Sequence, residues 1–394
     1  MQLVSDEMSS YVGKSSWIRK MFEAGIVLKK KYGEDAVCDF SLGNPDLAPP
    51  PAVKETLLKI AENADKPFAL GYMPNFGYPD VRDTLARKVT EEQEVEVAGS
   101  DIIVTCGAAG ALNIFFRAIL NPGDEVICSK PVFVDYSAYV GSHGGILKPV
   151  SCNESDFSLD LDAIEAGITD KTCAVLLNSP NNPTGVIYSA KQLKELGELL
   201  TRKSEGRKRP ILLVSDEPYR FLAFDGEKVP SMLQAYTYSV ACSSFSKNLA
   251  LAGERVGYAV VNPAMEGKEQ LINVMTMANR FLGFINAPCI GQRLMQGAID
   301  SQVDISIYDE RRKAMAEVLD EAGYEYPMPK GAFYFFVKAP GGDDVAFCQR
   351  LMEEKILAVP GTGFQYPGYF RLSFCVDTAI IRRAAPGLKK AMEG

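Results

Sequence analysis

Lys247 stands within Ala241-Cys-Ser-Ser-Phe-Ser-Lys-Asn-Leu-Ala-Leu-Ala-Gly-Glu-Arg-Val-Gly-Tyr258, behind the hydroxyls of Ser243, Ser244 and Ser246 and ahead of Arg255. Such a set suits a phosphate ester that carries an aldehyde. The amine condenses with the aldehyde, while the hydroxyls and the planar guanidinium fork hold the phosphate. A nearby cation also favours the neutral, nucleophilic form of lysine. Taken alone, the stretch is equally a surface turn with one Lys and one Arg, so the other chemistry-bearing residues must decide.

Four more groups qualify. Cys106-Gly107-Ala108-Ala109-Gly110-Ala111 opens a helix after an apolar run, and small residues at a helix start leave free N–H groups for an anion. Close packing of a turn would use the same residues. Phe133 follows the next apolar run, where a ring could stack on a planar ligand or simply join the core. Ser179-Pro-Asn-Asn-Pro-Thr-Gly185 is a polar loop with two prolines, and it presents the Asn182 amide rigidly to an oxygen. Finally, Ile211-Leu-Leu-Val-Ser-Asp-Glu-Pro-Tyr219 ends an apolar run in two acids and a tyrosine. A carboxylate at a buried strand end requires a cationic partner. A protonated heteroaromatic nitrogen opposite Asp216 meets that need, with Tyr219 in reach of a phenolate oxygen. The single histidine, His143, beside Gly144-Gly145, excludes His-based triads and His-rich metal sites, and no metal site is expected.

The elements that must position these groups alternate. Strands are predicted over 102–105, 125–129, 146–150, 174–178, 211–215, 238–242 and 257–261, with helices such as 109–120, 190–203 and 265–281 between them. The strands lack strict polar alternation, as in a sheet covered on both faces. This predicts an α/β fold: a large domain with a mainly parallel seven-stranded sheet covered by helices. In such sheets ligands gather at the carboxyl ends of the strands. After about residue 300 the pattern changes to helix 303–322, strand 331–337, helix 345–355, strand 369–374 and helix 380–392. We expect a smaller α+β domain from residues 1–48 plus 285–394, with 49–284 as the large cofactor-binding domain. The N-terminal segment brings a helix at 17–32 and the Gly/Pro loop after Asp39, where Gly43 and Asn44 allow close backbone approach.

Composition narrows the class. A net charge of −8 over 394 residues argues against a nucleic-acid face, which needs excess Lys and Arg. Nine scattered cysteines form no C-x-x-C pair and read as reduced core residues. No apolar run has transmembrane length, and the polar N-terminus lacks a signal-peptide core. A cytoplasmic protein without membrane or nucleic-acid partners is the expectation.

In this order, Gly107-Ala-Ala, Phe133, Asn182-Pro-Thr-Gly, Asp216-x-x-Tyr219 and Ser244-Phe-Ser-Lys247 with Arg255 resemble the pyridoxal-phosphate aminotransferases of fold type I, class I/II. Leu42-Gly-Asn-Pro-Asp, Tyr72-x-Pro-x-x-Gly77, Pro329-x-Gly-Ala-Phe-Tyr and Arg371-Leu-Ser-Phe extend the likeness over nearly the whole chain. The resemblance implies an aminotransferase that moves an amino group between an L-amino acid and a 2-oxo acid, through a Lys247 aldimine and a pyridoxamine form of the cofactor. It implies that Lys247 carries pyridoxal 5'-phosphate and shuttles the proton. Asp216 keeps the pyridine nitrogen protonated, and Asn182 and Tyr219 bond the ring oxygen. Phe133 stacks on the ring, where many relatives use Tyr or Trp. Ala108, Ala109, Ser244, Ser246 and Arg255 hold the phosphate. Tyr72 reaches the phosphate of the neighbouring subunit in a homodimer. Arg371 grips the substrate carboxylate, with Gly43 behind it.

One fold hosts several chemistries. A carbon–sulfur β-lyase is the alternative, and a catalytically silent binding protein of the same fold is a third. The amino acid is not legible. Arg280 is a candidate for an acidic side chain, and Tyr11, Trp17, Phe281 and Phe284 would suit an aromatic or bulky apolar one.

Overall fold

The computed structural model describes residues 3–6, 8, 9 and 17–393. In chain order the N-terminal part comprises α1 (Trp17–Tyr32), β1 (Cys38–Asp39), α2 (Pro51–Glu62) and α3 (Pro79–Gln93). The alternating part begins with β2 (Ile102–Thr105), α4 (Gly107–Ile119), β3 (Glu125–Ser129), α5 (Tyr136–Gly141), β4 (Ile146–Val150) and α6 (Leu161–Gly167). It continues through β5 (Thr172–Asn178), α7 (Ala190–Ser204), β6 (Leu212–Asp216), α8 (Met232–Ala235), β7 (Ser239–Ser244), β8 (Gly257–Val261) and α9 (Lys268–Phe281). Then come α10 (Cys289–Ala298), α11 (Ile305–Ala322), β9 (Tyr334–Lys338), α12 (Asp344–Glu353), β10 (Ile356–Leu357), β11 (Val359–Pro360), β12 (Tyr369–Ser373) and α13 (Thr378–Glu393).

Seven strands form the large sheet in the order β2-β8-β7-β6-β5-β3-β4. Only β8 runs against its neighbours, pairing antiparallel with both β2 and β7. The sheet is the predicted mainly parallel one, and helices cover it on both faces. Strand geometry sends successive side chains to opposite sides. Accordingly Val126, Cys128, Ala174 and Leu176 bury against Phe115 and Phe116 of α4 and Met275 of α9. Their neighbours Ile127, Val175 and Leu177 bury against Leu193 and Leu196 of α7. Apolar residues on both faces explain why these strands show no polar alternation.

The register aligns the strand ends. Asn178 pairs with Asp216, Asp216 with Cys242, and Gly257 with both Ser244 and Thr105. The carboxyl ends of β2, β5, β6 and β7 therefore finish at one rim.

A second core gathers Phe40, Tyr308 of α11, Phe335 and Val337 of β9, Phe347 of α12, Phe370 and Leu372 of β12, and Leu388 of α13. Its antiparallel sheet has the order β11-β12-β9, and β1 pairs in parallel with β10. The N-terminal segment is stitched to this part, since Phe40 N donates to Leu357 O and Ser373 N donates to Phe40 O. By contrast, α10 buries Leu294, Met295 and Ala298 among Val53 of α2, Leu85 of α3 and Val104 of β2.

Element ends differ from expectation for local reasons. Helix α9 starts at Lys268, not 265, because Gly267 at φ +78° breaks the helical run before it. Strand β9 starts at Tyr334, not 331, because Gly331 bridges to Ala223 and Ala332 sits at φ +56°. Strand β7 runs two residues further than expected, to Ser244.

Candidate active site

At the shared rim lies a cavity of about 300 Å³. Twelve of the thirteen residues expected to hold cofactor or substrate line it: Gly43, Ala108, Ala109, Phe133, Asn182, Asp216, Tyr219, Ser244, Ser246, Lys247, Arg255 and Arg371. Tyr72 does not. It is 93% exposed on a loop pinned to the end of α9, where Asn279 Nδ2 donates to Asn75 O and Asn286 Nδ2 to Met73 O and Pro74 O. Arg280 is exposed, next in sequence to Asn279, and is not among the lining residues. Trp17, Phe281 and Phe284 are not among the lining residues, and Tyr11 lies outside the described residues. His143 bonds Asn113 at 3.2 Å, away from the cavity.

The phosphate end is built by close backbone approach. Gly107 begins α4 at φ +73°, and a Cβ there would stand 2.8 Å from the Arg255 guanidinium. Only glycine leaves that space. Arg255 is itself left-handed, at φ +52°, and its Nη1 donates to Ala252 O at 2.9 Å. The exposed N–H groups at the start of α4, the Ser244 and Ser246 side chains and the Arg255 fork thus bound one small volume, an anion site by donor type. Ser243 acts elsewhere, because its Oγ donates to Glu217 O at 2.9 Å and ties β7 to the end of β6.

The other end is set by acids, amides and phenols. Asp216 is buried; Tyr136 donates to its Oδ2 at 2.6 Å, and its Oδ1 has no partner. This carboxyl is raised to about 7, by burial above all, against the opposing pull of the Tyr136 hydrogen bond and with a further push from the Glu217 charge. Asn178 Nδ2 donates to Asp216 O at 2.8 Å, and Asn178 Oδ1 accepts from Asn182 N at 2.7 Å, so β5 and β6 deliver Asn182 together. Arg371 of β12 donates from Nη1 to Asn182 Oδ1 at 2.9 Å and from Nη2 to Ser41 O at 2.6 Å. Its Nε is buried without a partner. Because Arg371 occupies the amide oxygen, Asn182 keeps its Nδ2 as a donor.

Lys247 Nζ donates to Gly43 O at 2.6 Å. Burial lowers its pKa to about 8; Cys375 opposes that shift, and Arg371 and Arg255 reinforce it. A lysine so placed is substantially neutral under mildly alkaline conditions, as a nucleophilic amine must be. Tyr219 and Tyr334 hydroxyls meet at 2.8 Å, and the Tyr334 ring faces the Arg371 guanidinium at 4.6 Å. Tyr334, Tyr139 and Asn178 also line the cavity, although sequence reasoning assigns them no role. The Pro329-x-Gly-Ala-Phe-Tyr motif held Tyr334, and strand-end position could have flagged Asn178.

Pyridoxal phosphate fits this set. The unpartnered, buried Asp216 oxygen calls for a cationic N–H. The donors gathered around Gly107 suit a phosphate, and the low-pKa Lys247 lines the same cavity. Among the described residues there is no cluster of metal-ligating side chains.

Comparisons with known proteins agree. Residues 35–388 match the family model "Aminotransferase class I and II". An aspartate aminotransferase of Thermotoga maritima is 33% identical over 90% of each chain. A solved amino transferase from Eubacterium rectale superposes with a TM-score of 0.95 at 36% identity, covering 100% of this chain and 99% of that one. The aspartate aminotransferase of Thermus thermophilus solved with maleate gives 0.88 at 28% identity, covering 99% and 100%. The chain belongs to the class I and II aminotransferases, enzymes that transfer amino groups with pyridoxal 5'-phosphate.

Proposed function

We propose that this aminotransferase takes its amino group from an L-amino acid with an acidic side chain and passes it to a 2-oxo acid. One observation supports the site: the unpartnered Asp216 oxygen, the low-pKa Lys247 and the Arg371 fork converge on a single cavity. Relatives named aspartate aminotransferase, and one of them solved with maleate, support the acidic class.

In this reading Lys247 Nζ carries the cofactor, while Ala108 and Ala109 N–H groups, Ser244, Ser246 and Arg255 hold its phosphate. Phe133 would stack on the ring, Asn182 and Tyr219 would donate to its oxygen, and Asp216 would face its nitrogen. Bound pyridoxal phosphate supplies an aldehyde that condenses with amines and a protonated ring that accepts an electron pair. Lys247 Nζ, freed when the substrate amine takes its place, would then move the proton at substrate Cα. Arg371 clamps the α-carboxylate and orients the Cα–H bond, with Gly43 leaving room beside Tyr334. The segment that carries Gly43, with the part after α10 that carries Arg371, would close on substrate and exclude water.

The exposure of two large rings on one short loop, Tyr72 at 93% and Phe68 at 92%, supports a homodimer in which Tyr72 enters the partner's site, and the exposed Arg280 would meet the substrate's second carboxylate there. Nine free cysteines support a reducing, cytoplasmic location. Among the described residues no helix is long and apolar enough to cross a membrane.

The test is the visible spectrum of protein loaded with pyridoxal phosphate, with amino acids added singly and Lys247→Ala in parallel. The cofactor band should convert with aspartate or glutamate and return with a 2-oxo acid, and Lys247→Ala should do neither. Release of pyruvate with ammonia or sulfide, without conversion, would make the protein a lyase. Conversion by leucine or phenylalanine alone would remove the acidic class.

A further inference from the structure

Asp216 has a neighbour that none of these roles employs. Tyr136, the first residue of α5, is 1% exposed and donates its hydroxyl to Asp216 Oδ2 at 2.6 Å. Its ring meets the edge of Phe133, with centroids 5.3 Å apart and planes at 68°. One short hydrogen bond thus claims one carboxylate oxygen, and Oδ1 is left without a partner in the buried rim.

We propose that Tyr136 is a positioning residue that decides where the shared proton of the cofactor site resides. By holding Oδ2, it keeps Asp216 charged and turns Oδ1 toward the ring nitrogen, so the proton stays on that nitrogen. This role rests on the cavity being the pyridoxal-phosphate site.

A proton between a buried carboxylate and a pyridine nitrogen has two resting places. Burial favours the uncharged arrangement, with the proton on the carboxyl, because neither group then bears a charge in a poorly polarisable setting. The other groups around Asp216 do not oppose this. Glu217 is next in sequence and adds negative charge, although its carboxylate is turned to Gln93, Ser215 and Arg220. The Cys128 thiol of β3 is pushed up to about 12 by burial, and that of Cys242 on β7 is also raised by burial. Burial likewise raises the Tyr139 phenol of α5. The Tyr136 hydroxyl is the group that favours the carboxylate, since a donor to the charged form stabilises it. Deleting a hydrogen bond to a charged group moves such a balance by about 10- to 100-fold.

Tyr136→Phe keeps the ring against Phe133 and removes only the oxygen. The holoenzyme is loaded with pyridoxal phosphate carrying ¹⁵N in the ring, and its nitrogen resonance is recorded near neutral pH. Wild type should show a protonated pyridinium, and Y136F should move toward a neutral pyridine. In the cofactor-free full chain, the Asp216 carboxyl, followed by ¹³C resonance, should titrate about one to two pH units higher in Y136F. A merely structural tyrosine would move neither signal. If folded, loaded Y136F shows the wild-type ¹⁵N resonance, the proposal is wrong. Should Y136F fail to fold, 3-fluorotyrosine at position 136 keeps the shape and strengthens the donor. The Asp216 midpoint must then fall, and an unmoved midpoint overturns the proposal. Wild-type protein that takes up no pyridoxal phosphate sinks the underlying reading instead, a result distinct from either.

Discussion

Arg371→Lys is the most informative single change. Arg371 is 1% exposed, and its fork spends Nη1 on Asn182 Oδ1 at 2.9 Å and Nη2 on Ser41 O at 2.6 Å, with Nε free. Lysine keeps the charge but offers a point donor on a flexible stem, which cannot hold Asn182 and also present two parallel N–H groups to a carboxylate. At least one charge-assisted hydrogen bond to substrate is lost, worth about 1.5–3 kcal/mol. That corresponds to a fall in kcat/KM of about 10- to 200-fold. The assay is single-turnover conversion of the cofactor band by an amino acid and, beside it, by the amine that lacks the α-carboxylate. Wild type and variant should differ by the full factor on the amino acid and by little on the amine. A variant within threefold of wild type on the amino acid would show that Arg371 does not grip the carboxylate. Equal losses on both substrates would make it a structural arginine.

Three further outcomes rest on the same geometry. Co-expressed Tyr72→Ala and Lys247→Ala chains should regain activity above either alone, approaching about a quarter of native sites for random pairing of two-fold dimers; no gain would return Tyr72 to a surface role. Asp216→Asn should cut amino transfer by about 100-fold or more yet raise the melting temperature of cofactor-free protein above pH 7. The sign comes from a folded pKa of about 7, raised above the unfolded value: the carboxyl's favourable contribution is full below about pH 4 and is lost as pH rises through 7. An unchanged melting curve at pH 8 contradicts the buried-charge argument. Arg280→Ala should lower the ratio of aspartate to leucine turnover by about tenfold or more, and an unchanged ratio removes Arg280 from substrate recognition.

The residues at the rim were legible because each comes directly after its strand. Asp216 ends β6, Lys247 comes three residues after β7, and Asn182 four residues after β5. A parallel sheet then brings them together whatever the length of the crossovers. Tyr136 was not legible as a site residue, because tertiary packing alone sets it on Asp216; Tyr334 ends a recognisable motif, but its contact with Tyr219 is likewise set by tertiary packing. The two-residue strands β1, β10 and β11 are too short to show any period. Helix α13 carries Pro386 inside it, a residue that local propensity disfavours and that burial of Ile381, Ala384 and Leu388 overrides.

The antiparallel run of β8 has a consequence for how the enzyme is made. Every parallel crossover leaves the rim and must return, but the chain from β7 to β8 stays there, which is why Lys247 and Arg255 share one loop. With β8 in place the seven-stranded sheet is complete by Val261, while Arg371 still lies far downstream. During synthesis the residues proposed to hold the cofactor can therefore be assembled before the arginine proposed to hold the substrate has emerged. The catalyst would be loaded before it is able to act.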